Sequence, residues 1–136
     1  MKTLTIEWKH LEKDRLTCTR CGDTGRTLRS AVRAMRRRCR PCGVAIKFIE
    51  TKLPVRRLKE SNTILFNGVP LETALGDAKI QANDCSSCST LVGEASQCRV
   101  VQRRGKTYEA IPEDMIWEAA CRVAGCECSS DAACRR

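Results

Sequence analysis

Apolar and polar residues alternate first over residues 3–8, where Leu4, Ile6 and Trp8 interleave with Thr3, Thr5 and Glu7. A two-residue period predicts a half-buried strand. The period then lengthens. From Thr24 onward Leu28, Ala31, Val32 and Met35 recur at helical spacing with arginines between them, Asp23 or Thr24 stands where a cap is needed, and Pro41 and Gly43 stop the run. Residues 44–50, VAIKFIE, predict a second strand, and strand–helix–strand implies a parallel pair with a right-handed crossover. A short helix fits near Pro54. TILF and VPL then flank Asn67-Gly68, the dipeptide that suits a type I′ hairpin, and LETAL before Gly76 predicts another short helix.

Beyond Gly76 the pattern weakens. Residues 77–98 show little periodicity and carry three cysteines, which predicts an insertion. RVVQ and KTYEA around Arg104-Gly105 form a candidate second hairpin. Pro112, two acids, and Ile116, Ala119, Ala120 and Val123 at helical spacing predict a C-terminal helix ended by Gly125. The expectation is one α/β domain over residues 1–124, with 77–98 as its cysteine-bearing insertion and 125–136 as a flexible cysteine-containing tail. No internal repeat at a fixed period is present.

Composition narrows the chemistry. Eleven cysteines in 136 residues is an extreme count, and the odd number sits badly with a fully paired disulfide scaffold. The first residues, MKTLTIEWKHLEKD, lack the apolar run of an export signal, and no stretch is apolar and long enough to span a membrane. The expected setting is therefore the cytoplasm, where clustered cysteines serve metal or redox chemistry. A net charge of +9 favours acidic partners. Arg26, Arg29, Arg33, Arg36, Arg37, Arg38 and Arg40 place much of it on one segment, but no aromatic residues interleave with them for base stacking. A solvated basic face able to dock an acidic partner is preferred, and nucleic acid is disfavoured.

Cys18 and Cys21 stand before that helix, and Cys39 and Cys42 after it. The interval of 17 residues between the pairs falls in the window of a four-cysteine zinc site. An intervening helix of residues 26–38 would be about 20 Å long, however, too long for four sulfurs to meet on one ion. Cys18 and Cys21 then read as a redox dithiol. Helix N-terminal dipoles and the guanidiniums of Arg20 and Arg26 stabilise a thiolate, while Asp23 opposes them. Cys85, Cys88 and Cys98 form a second constellation. They would supply a disulfide relay, or ligands to zinc, a thiophilic ion or an iron–sulfur cluster, with Cys18 or Cys21 completing the set. An accessory disulfide is the default for Cys39 and Cys42. Cys121, Cys126, Cys128 and Cys134 include a CxC suited to soft-metal capture or disulfide transfer, or else belong to a tail without chemistry. His10, the sole histidine, is expected in an exposed loop after the first strand.

The order strand, CxxC, helix, strand, short helix, hairpin and helix resembles the thioredoxin fold. The residues that carry it are TIEW, Cys18 to Cys21, the segment 24–40, VAIKFIE and TILFNGVPLETALG. More closely, the chain is similar to a bacterial and archaeal thioredoxin-like family catalogued as a domain of unknown function. There the IEW-H opening, CxRCxxTGxTL, ETKL, SNxILxNGxPLE, CSSC and the Cys98-Arg99 pair recur. The resemblance covers roughly residues 3–124. It implies a thioredoxin-like fold, with Cys18 attacking and Cys21 resolving a disulfide or thiol substrate. Two departures stand out. Redox thioredoxins carry a cis-proline before the third strand, where this chain has Ser61-Asn62-Thr63; and Gly22, Asp23 and Gly25 predict a helix that starts several residues after the CxxC rather than inside it.

The expected function is thus a thiol–disulfide redox protein. The alternatives are a non-catalytic thiolate metal-binding protein and a basic interaction or nucleic-acid adaptor.

Overall fold

The computed structural model of the chain describes residues 2–13, 15–16, 19–84, 89, 93, 97–125, 127–129 and 132–135. Its centre is the strand β1 (Lys2–Leu11), longer at both ends than its alternation suggests. Leu4, Ile6, Trp8 and His10 point to one buried face, and Leu11 is buried at the strand's end. Along one edge β1 pairs in parallel with β2 (Val44–Leu53), in unbroken register from Lys2 opposite Val44 to Leu11 opposite Leu53. Along the other edge it pairs antiparallel with β3 (Thr63–Phe66), from Ile6 opposite Phe66 to Lys9 opposite Thr63. β3 turns through Asn67-Gly68 into β4 (Val69–Pro70), giving the sheet order β2-β1-β3-β4. Both turn residues have positive φ, 52° and 81°, as the type I′ geometry requires.

The parallel β1–β2 pair needs a crossover, and the helix α1 (Thr19–Arg38) supplies it. Leu28, Ala31, Val32 and Met35 bury its apolar stripe against the sheet. A single 3₁₀ turn, Arg40–Cys42, and the left-handed Gly43 return the chain to β2. A second 3₁₀ segment, Val55–Glu60, replaces the expected short helix after Pro54. After β4 come α2 (Leu71–Leu75) and, later, α3 (Glu113–Ala124), which packs on α1, α2 and β1. Ile116, Ala119 and Ala120 meet the sheet and α1 in one continuous core with Trp8, Phe66 and Leu28.

The region 77–98 departs from expectation. It opens with β5 (Ala78–Asp84), which pairs with β6 (Gln97–Arg103), and β6 in turn pairs with β7 (Lys106–Tyr108) to form a separate three-stranded antiparallel sheet. In AKIQAND only Ile80 is a large apolar residue, so the alternation that marks a strand is nearly absent and the pairing with β6 supplies the order. Arg103 fastens this sheet to the body. Its guanidinium, almost fully buried, donates to Asp77 Oδ1 at 2.7 Å and to Glu118 Oε2 on α3 at 2.6 Å.

In the region expected as a tail, β8 (Glu127–Ser129) and β9 (Ala132–Arg135) pair antiparallel. Among the described residues no helix is long and apolar enough to cross a membrane.

Candidate functional site

The sequence predicts that α1 starts near Thr24. It starts instead at Thr19, inside the CxxC, so Cys21 lies in the first turn. Neither Asp23 nor Thr24 caps the helix. Asp23 is within it and pairs with Arg26, and the buried Thr24 hydroxyl is used in tertiary contacts. The two glycines that argued for a later start are overridden by packing. A Cβ built on Gly25 would lie 2.4 Å from Cη2 of Trp8, so glycine here lets the indole of β1 lie directly against the helix backbone. Intrinsic helix propensity is a weak preference that such packing overrides.

Cys21 is 1% exposed, and its Sγ lies 3.1 Å from the hydroxyl of Ser61, also buried. Ser61 Oγ accepts the backbone N–H of Leu11 at 3.1 Å. With one lone pair committed to that amide, the hydroxyl keeps one donor and one acceptor position for the sulfur. The contact therefore serves both states of the cysteine: a thiol can donate to the oxygen, and a thiolate can accept from the hydroxyl. Ser61 stands just before β3, and all peptide bonds among the described residues are trans.

The next residue holds this corner together. Asn62 has φ 63°, a left-handed conformation that asparagine tolerates better than most residues. Its Oδ1 accepts the indole N–H of Trp8 at 3.2 Å, and its Nδ2 donates to Thr24 Oγ1 at 3.1 Å. Thr24 Oγ1 also accepts the N–H of Ile111, at 3.1 Å. Four chain segments — β1, α1, the approach to β3 and the approach to α3 — thus meet in one buried polar network whose members are mutually satisfied.

His10 corrects the expectation of an exposed loop. It belongs to β1 and is 2% exposed, because the alternation Leu4, Ile6, Trp8 continues one step further than the apolar residues do. Its ring stacks on Trp8 with centroids 3.9 Å apart. Nε2 lies 2.5 Å from Glu50 Oε2 and Nδ1 lies 3.2 Å from the Leu11 carbonyl, so each nitrogen faces an acceptor. Arg29 spans the site's outer edge, with its guanidinium 5.4 Å from the Trp8 ring centre and 3.2 Å from Glu50 Oε1. Burial pushes the Glu50 carboxyl up, but the hydrogen bonds from His10 and Arg29 outweigh it and hold the group below the ordinary glutamate value.

Of the sequence-predicted site residues, Cys18, Cys85 and Cys88 lie outside the described residues. The backbone of Cys98 pairs with Asn83 in the β5–β6 ladder, and Asp84 pairs with Gln97, so these two strands close the base of the segment between them. Cys39 and Cys42 are buried just beyond the C-terminal end of α1, and an axial rise of 1.5 Å per residue puts Cys39 about 27 Å from Cys21. That separation keeps the two pairs from sharing one ion. Of the seven arginines between residues 26 and 40, Arg33, Arg37 and Arg40 face solvent, while Arg29, Arg36 and Arg38 are drawn onto Glu50, the Ile46 carbonyl and the Trp117 ring. Ser61, Asn62, Thr24 and Gly25 are the site residues that spacing arguments missed. The sequence signals for the first two are that they open the SNxILxNGxPLE motif and stand in the stretch where a cis-proline would otherwise be.

This geometry defines a mixed α/β protein with a cysteine in the first turn of its crossover helix, braced by a buried serine–asparagine–threonine corner. The chain belongs to the family described as a domain of unknown function, DUF2703, which it matches over residues 4–120. It is similar to an uncharacterized protein of Archaeoglobus fulgidus, with 30% identity over 117 residues, covering 83% of this chain and 82% of that one. No solved structure matches the chain.

Proposed function

We propose that this protein is a thioredoxin-like thiol–disulfide redox protein that works through Cys18 and Cys21 in a reducing, cytoplasmic setting. The observation that carries the reading is the Cys21–Ser61 contact in the first turn of α1, where a hydroxyl already polarised by the Leu11 amide meets the sulfur. Two features of the chain path support it. The sheet order β2-β1-β3-β4, with β1 and β2 parallel and the others antiparallel, is the order expected of a thioredoxin-like core. The helix begins at Thr19, between the two cysteines, so Cys21 lies in the first turn, where the helix dipole favours negative charge.

In the proposed cycle the Cys18 thiolate attacks a substrate disulfide, one sulfur of which leaves as a thiolate and takes a proton from solvent. Cys21 then gives up its proton and attacks the Cys18 sulfur of the mixed disulfide. The second substrate thiolate leaves, and Cys18 and Cys21 are joined. Two electrons have passed from the dithiol to the substrate, and a thiol reductant must return them. Ser61 assists the second step by donating to the Cys21 thiolate as it forms. This role follows from the hydroxyl's remaining donor position.

The test is reduction of a protein disulfide by the full chain with a dithiol as reductant. Cys18→Ser is expected to abolish turnover. Cys21→Ser is expected to stop at a trapped mixed disulfide through Cys18, visible by mass spectrometry. Ser61→Ala is expected to slow the resolving step while leaving the first attack unchanged. Turnover unaffected by Cys18→Ser would refute the proposal.

A further inference from the structure

Strand β2 is the outer strand of the four-stranded sheet, and among the described residues no strand pairs with its far side. Two bonds to the β1 side show which of its main-chain groups face outward. The Gly43 carbonyl accepts the Lys2 N–H at 2.8 Å and the Leu53 carbonyl accepts the Glu12 N–H at 3.1 Å, so the odd-numbered residues bond inward. Main-chain groups alternate sides along a strand, which turns those of Ile46, Phe48, Glu50 and Lys52 away from β1. They form a free edge about 20 Å long. Arg36 Nε lies 3.4 Å from the Ile46 carbonyl, at the long limit of a hydrogen bond. Natural sheets blunt such an edge by shortness, proline or a bulge, whereas β2 has ten residues, no proline and unbroken register.

Helix α1 lays a row of arginines along this edge. Arg29 reaches Glu50 Oε1 at 3.2 Å and Arg36 reaches the Ile46 carbonyl, which fixes the flank of the helix that overhangs β2. Arg33, exposed, stands on the same flank, four residues after Arg29 and three before Arg36. On the opposite face of the sheet Lys47 is exposed and Ile49 is 36% exposed. Glu50, the one carboxylate of the strand, is already engaged by His10 and Arg29. An added strand would therefore send alternate side chains towards arginines and the others towards Lys47 and Ile49. A second copy of this chain is the wrong occupant. Pairing β2 antiparallel with itself about a two-fold axis would bring two arginine rows together on one face, and like charges across paired strands destabilise. A phosphodiester chain would satisfy the arginines but has no peptide ladder to offer the edge.

We infer that the free edge of β2 and the arginine row beside it bind an extended acidic segment of a partner protein. The segment adds to the sheet as a further strand, with carboxylates at alternate positions facing Arg33 and Arg36 and apolar side chains facing Ile49. Main-chain bonds supply the affinity, and the positive charge on the helix flank selects the partner. The surface uses no cysteine, so it stands or falls independently of the redox reading.

The experiment is fluorescence anisotropy of a labelled heptapeptide of alternating glutamate and valine, titrated with the reduced full chain. Two further peptides carry N-methyl groups, one on its glutamate amides and the other on its valine amides, which lie on opposite edges of an extended chain. Only one edge can face β2, so one methylated peptide should bind about tenfold more weakly than the parent peptide and the other nearly as well. Arg33→Glu/Arg36→Glu should also weaken binding about tenfold. Lys79→Glu/Lys106→Glu makes the same change in net charge at exposed positions of the separate sheet and should change binding little. Far-UV circular dichroism identifies a variant that fails to fold, and the methylated peptides test the edge without any variant. Equal affinity for the two methylated peptides, or equal loss in the two double variants, would overturn the inference. So would a peptide that does not bind while an oligothymidylate binds through Arg33 and Arg36, which would assign the row to nucleic acid.

Discussion

Replacing Gly25 by alanine sets two physical effects against each other, and the structure decides the sign. Within a helix such as Thr19–Arg38, glycine to alanine ordinarily stabilises by about 1 kcal/mol, because alanine loses less conformational entropy. Here the added Cβ would stand 2.4 Å from Trp8 Cη2, 2.9 Å from Cζ3 and 3.1 Å from Cζ2. The indole has little room to retreat, since His10 stacks on its ring and its N–H is bonded to Asn62. Overpacking of this kind costs about 1–3 kcal/mol, and breaking the Trp8–Asn62 bond while leaving its buried groups unpaired adds about 1–3 kcal/mol. The expected net loss is about 1–5 kcal/mol, a fall in Tm of roughly 3–25 °C for a domain of this size. Thermal unfolding followed by circular dichroism measures it. A Tm equal to or above that of the parent would refute the packing argument. The double variant Trp8→Leu/Gly25→Ala supplies a second check: with the ring gone, alanine at position 25 should cost little or stabilise.

Three further outcomes follow from the same contacts. Asn62→Gly keeps the left-handed backbone but loses both side-chain bonds, and should cost about 2–3 kcal/mol in urea unfolding; Asn62→Ala should cost about 1 kcal/mol more for its strained φ. Because Glu50 ionises more readily folded than unfolded, its contribution is fully present above the ordinary glutamate pKa of 4.5 and is lost as pH falls through the lower folded value. Glu50→Gln should therefore flatten the acid limb of the stability–pH curve below about pH 5 while changing its alkaline limb little; identical acid limbs would exclude the pairing with His10 and Arg29. Arg103→Ala should lose about 2–3 kcal/mol in denaturant unfolding, because it removes a buried guanidinium that joins Asp77 to Glu118. Arg103→Lys should fall between the two, since an ammonium cannot present the same fork to two carboxylates.

Much of the core architecture is written in local pattern. The alternation of Leu4, Ile6 and Trp8, the helical stripe from Leu28 to Met35, the run VAIKFIE and the Asn67-Gly68 turn each specify an element that the structure contains, because side-chain periodicity and positive-φ turns are local properties. Strand β5 was not legible, since AKIQAND acquires its order from pairing with a partner about twenty residues later. The start of α1 is hidden in the sequence for a related reason. Gly22 and Gly25 weaken a helix judged by propensity alone, whereas in the folded chain Gly25 is where Trp8 must pass.

The cysteine spacing by itself matched the window of a four-cysteine zinc site, and only the helix period between the pairs set Cys18 and Cys21 apart from Cys39 and Cys42. What only the tertiary structure decided is which residues stand around those sulfurs. Ser61 reaches Cys21 across 40 positions, and Thr24 meets Ile111 across 87. Such contacts depend on how strands and helices pack. Residue type and spacing carry the chemistry that a side chain can perform, and the packed chain selects the neighbours with which it performs it.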